Sequence, residues 1–212
     1  MTSRSFQHLN LILVTLIGYS SPIARAAEPE RMLPAYYLAV GLANPVAYAA
    51  HRVENVVLAF PPRSHDDNQT LRFAAVAGAI LALVPWVFLL PGLADWYYIS
   101  LQRLPVADLP LVRTTALMLL GFPFSVALRC HREGLAALQH RTPTILAGDI
   151  TYMAALAMVA SLCLTLQAPG NVIGPIAMAT SNLASLGMLV FLLRKRRDEV
   201  GPTVAPVVSE EG

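Results

Sequence analysis

Residues 143–197 read PTILAGDITYMAALAMVASLCLTLQAPGNVIGPIAMATSNLASLGMLVFLLRKRR, and from Pro143 to Leu193 the only charged side chain is Asp149. Two apolar runs are visible, near 143–166 and 172–193. Each matches the ~20 residues that an α-helix needs to cross a hydrocarbon core of ~30 Å. Between them lies Gln167-Ala168-Pro169-Gly170-Asn171, a loop by composition, and the second run stops at Arg194-Lys195-Arg196-Arg197. The stretch therefore predicts two membrane-spanning helices, the second halted by a basic cluster.

Working outward toward the N-terminus, the same pattern recurs. Further spans are predicted near 33–60, 73–93 and 111–139, the last apolar to Leu128 and polar beyond it, with Pro61-Pro62-Arg63-Ser64-His65-Asp66-Asp67-Asn68 as a loop. The segment near 9–24 admits two readings: a retained first helix, or a signal peptide cleaved after Ala24-Arg25-Ala26. The expected fold is all-α, a polytopic membrane helix bundle of about six transmembrane helices over residues 1–197, with 198–212 a disordered cytoplasmic tail. Composition agrees: 56% of residues are hydrophobic, 13% are charged and the mean hydropathy is +0.56. Ordinary soluble domains hold only about 45–50% apolar residues.

Counting arginine and lysine in alternate loops sets the orientation. With six spans, one side receives Arg4, Arg52, Arg63, Arg72, Arg129, Arg132, Arg141 and Arg194-Lys195-Arg196-Arg197; the other receives only Arg25, Arg31, Arg103 and Arg113. The positive-inside rule then places both termini in the cytoplasm, in a cell inner membrane. Trp86, Trp96, Tyr97 and Tyr98 fall near the outer end of the third span, where interfacial aromatics belong. A net charge of +2 with no basic, aromatic-interleaved stripe excludes nucleic acid as a partner and leaves the lipid bilayer.

No phosphate loop, serine-hydrolase elbow, HExxH or paired CxxC occurs, so an enzyme is not expected, nor a cofactor or metal. Cys130 and Cys163 read as small buried hydrophobes, and His65-Asp66-Asp67 as a solvated loop. Gly170, Gly174, Ala177, Ala184 and Gly187 read as a packing face on the last helix. Candidate site residues lie where charge meets the apolar spans. Arg129 and Arg132, three apart on one helical face, form with Arg52 a basic vestibule for an anionic substrate; the rival reading makes them interfacial anchors. Asp149 lies ~9 Å into its helix, at 1.5 Å per residue. A carboxylate there is costly, so it faces protein or water, either coupling transport to an ion or accepting a structural hydrogen bond. Glu54 is the second carboxylate placed for ion coupling.

From Leu9 to Arg197 the chain resembles the C-terminal half of the progressive ankylosis family, transporters related to the multidrug and toxin extrusion proteins. The resemblance is carried by Ser21-Pro22-Ile23, by Arg52 with Val57-Leu58-Ala59-Phe60-Pro61, and by Arg129 through Leu135 with Arg141-Thr142. It implies one six-helix lobe of a two-lobe exporter of small organic anions, completed by a homodimer partner or a separate N-terminal-lobe subunit. The alternative is a non-transporting membrane subunit or a truncated gene product.

Overall fold

Proline and short polar turns decide where the helices begin. In the computed structural model, which describes residues 28–63 and 67–200 and the side chains up to Lys195, six α-helices follow in order: α1 (Pro29–Ala59), α2 (Gln69–Val87), α3 (Leu109–Met118), α4 (Phe122–Leu138), α5 (Thr142–Thr165) and α6 (Gly170–Val200). The hydrophobic segment near 9–24, His65-Asp66 and the tail beyond Val200 lie outside the described residues. Helices α1, α3, α4 and α5 each carry proline at the first or second position. There its fixed φ is already helical and its missing N–H costs nothing. No strand occurs among the described residues, so the fold is all-α as expected.

Four described segments are long and apolar enough to cross a bilayer: α2, the stretch Val106–Leu138 that contains α3 and α4, α5, and Gly170–Lys195 of α6. The chain is thus a helical membrane protein. At 31 residues α1 is long enough. Its apolar character is diluted by Tyr36, Tyr37, Asn44, Tyr48 and two internal prolines. Packing accounts for Tyr36, which is wholly buried with Ala35, Ala50 and Val57 where α1 lies against α2, α3, α4 and α6, whereas Tyr37 and Tyr48 are exposed.

Two elements depart from the pattern of apolar runs. Helix α2 ends at Val87, before the run does, because Pro91 and Gly92 turn the chain there, Gly92 at φ +85°. A π-helical segment, Asp95–Leu101, follows. The run 111–139 is two helices, broken at Leu119–Gly121 just ahead of Pro123. The turns after α4 and α5 share one geometry. Arg141 N–H reaches Ala136 O at 2.8 Å, and Ala168 N–H reaches Cys163 O at 2.9 Å. Both are Schellman closures, with His140 and Gln167 in the left-handed conformation usually given to glycine.

Contacts between ends fix the up-and-down order. On one side, Arg31 meets Asp108 at 2.7 Å, and Asn171 donates to Leu111 O at 3.0 Å and to Thr115 Oγ1 at 3.2 Å. That side holds the starts of α1, α3 and α6. On the other, Thr70 meets His131, Gly134 lies against Val57, and Gly148 lies against Leu189. That side gathers the ends of α1, α4 and α6 and the starts of α2 and α5. Between them, Asn182 of α6 donates to Ser125 Oγ of α4 at 2.7 Å.

Candidate functional site: a buried ion-pair triad

Helix α4 passes through the middle of the bundle, touching α1, α2, α5 and α6. Successive residues on a helix point about 100° apart, so five consecutive polar positions must face every neighbour in turn. Residues 129–133 do so. Arg129 reaches α5, Cys130 reaches α1 through His51 Nδ1 (Sγ···N 3.1 Å), and His131 Nε2 meets Thr70 Oγ1 of α2 at 3.1 Å. Half-buried Arg132 lies within Coulombic reach of Arg194 on α6. Glu133 turns back onto Arg129.

The centre of this layer is Arg129. Its Nε donates to Glu133 Oε1 at 2.7 Å and one Nη to Asp149 Oδ1 at 2.8 Å, while the guanidinium carbon sits 5.0 Å from the centre of the Tyr152 ring. Spacing dictates the set. Arg129 and Glu133 are four apart on α4, and Asp149 and Tyr152 are three apart on α5, so each pair shares a face. All are buried, with Arg129 9% exposed, Glu133 4% and Asp149 5%. The forked guanidinium suits the role, since its donors engage two carboxylates at once, which an ammonium cannot do in a fixed plane. Two carboxylates face one cation, so the fully ionised triad carries one net negative charge. In a low-dielectric interior that excess is costly and favours uptake of one proton or another cation.

The sequence-predicted residues separate into two groups. Arg129 and Asp149, assigned to substrate and to ion coupling respectively, are bonded to each other. Arg132 and the exposed Arg52 lie on the same side of the bundle, and no ion pair among the described residues engages either one. Glu54 is half-buried on α1, its backbone carbonyl facing Gly134. Glu133 was not singled out in the sequence, although its i+4 spacing from Arg129 was the signal available. Nor was the Cys130–His51 contact, whose 79-residue separation leaves no local pattern. No family model, curated protein or solved structure matches the chain.

Proposed function

We propose that the chain is one lobe of a secondary transporter that exports small organic anions, with the Arg129–Glu133–Asp149 triad as its proton-coupling centre. The observation that carries the reading is the unequal count of buried charges between two membrane helices. Ionisable groups in that position characteristically serve ion pathways. One proton taken up on a carboxylate neutralises the triad and loosens Asp149 from Arg129, giving the α4–α5 contact two states. Release restores the bond. Such a two-state contact is what alternating access requires of its coupling site.

The substrate class rests on the resemblance set out above, and on Arg52 and Arg132, which place positive charge at the basic end of the bundle and raise the local concentration of anions. In this proposal both termini are cytoplasmic, in the inner membrane, and a second copy or a separate N-terminal-lobe subunit completes the cavity. The rival, a non-transporting subunit, is favoured by the saturation of Arg129, since a guanidinium held by two carboxylates also makes a rigid rivet. Reconstituted vesicles separate the two. Preloaded with citrate, they are expected to take up labelled citrate above the protein-free background, and Arg132→Gln is expected to slow trivalent citrate more than monovalent lactate. Uptake at the background level would leave the rivet.

A further inference from the structure

Helix α6 leaves the apolar region with a groove on its flank. Gly187, Val190 and Phe191 form its apolar wall and Arg194 and Lys195 its rim, an open depression of about 410 Å³. Phe191 is 61% exposed, so it faces whatever lies beside the helix. Gly187 contributes depth, since nothing stands within 4 Å of where a side chain would begin. At 1.5 Å per residue, the cations follow Phe191 by about 5–6 Å, the passage from acyl chain to headgroup. Neither Arg194 nor Lys195 is engaged by an ion pair among the described residues. Arg132 of α4, within Coulombic reach of Arg194, adds positive potential. The helix runs on to Val200, so the negative end of its dipole lies beyond the rim.

We infer that this groove binds an anionic phospholipid of the leaflet at the basic end of the bundle, its phosphate between Arg194 and Lys195 and an acyl chain along Val190 and Phe191. Charge complementarity and the apolar wall argue together for a lipid: free phosphate would use the rim alone, and a neutral lipid would use the wall alone. Basic clusters directly beyond a spanning helix recruit anionic lipids in this way. The inference needs only the membrane location, not the transport reading.

Native mass spectrometry of the full chain in neutral detergent tests it, with phosphatidylglycerol and phosphatidylcholine supplied in equal amounts. Two cations near the headgroup are expected to favour phosphatidylglycerol on the order of tenfold. Arg194→Gln with Lys195→Gln is expected to bring the ratio near one. Arg103→Gln, on the opposite side, is expected to leave it unchanged. Equal adducts on the unaltered chain would overturn the site, as would a preference that survives the double substitution. Loss of the preference in millimolar inorganic phosphate would replace the lipid by a free anion and also overturn it.

Discussion

At the scale of single residues, the triad makes opposite demands on its members. Arg129→Met leaves Glu133 and Asp149 buried without a cation, and an uncompensated buried charge costs about 3–5 kcal/mol. Asp149→Asn leaves Arg129 and Glu133 as a balanced pair and keeps an amide oxygen for the guanidinium, so its cost is expected within about 1.5 kcal/mol. Unfolding midpoints of the detergent-purified variants check the contrast. Equal losses would mean that the charges are not coupled. Much of this site was legible beforehand, because a lone carboxylate in an apolar span must face something and Arg129 stood at the edge of another span. Their pairing was not legible. It depends on how far α5 slides along α4, which the Schellman turn at Gln139–Arg141 sets and no side-chain pattern records.

Among the elements, close approach is the testable feature. A Cβ on Gly174 would stand 2.6 Å from Tyr36 Oη and 2.7 Å from its Cζ, and that ring is wholly buried in α1. At Gly187, thirteen residues along the same helix, a Cβ would meet nothing within 4 Å. Gly174→Ala is therefore expected to destabilise by about 1–3 kcal/mol through overpacking. Gly187→Ala is expected to cost nothing, or to stabilise by up to about 1 kcal/mol, by removing a flexible helical glycine. Thermal unfolding in detergent discriminates the two, and similar losses would show that α6 packs on another face. Both glycines were expected on one packing face of α6, and sequence spacing alone cannot tell a residue that meets a helix from one that opens on a groove. Apolar runs located the helices, but hydropathy hid the break at Leu119–Gly121, since the apolar run continues across it to Leu128. Its visible trace was Gly121-Phe122-Pro123.

For the whole molecule, the count of cations differs between the two sides. Arg31 and Arg113 are matched by Glu28, Asp108 and Asp95 on one side, as Arg129 is by Glu133 and Asp149 on the other, where Arg52, Arg132, Arg194 and Lys195 add to the count. The side richer in arginine and lysine is the one expected to stay in the cytoplasm. A reporter fused at Gly212 should signal from the cytoplasm, and an external signal would reverse the topology. The central claim is that the triad carries a proton through the transport cycle, and Asp149→Asn in reconstituted vesicles tests it most directly. Because the variant keeps a balanced Arg129–Glu133 pair, it should fold, insert and still exchange citrate for citrate. Accumulation of citrate driven by an imposed pH gradient should stop. Accumulation in the Asp149→Asn protein with the pH dependence of the unaltered chain would contradict the account.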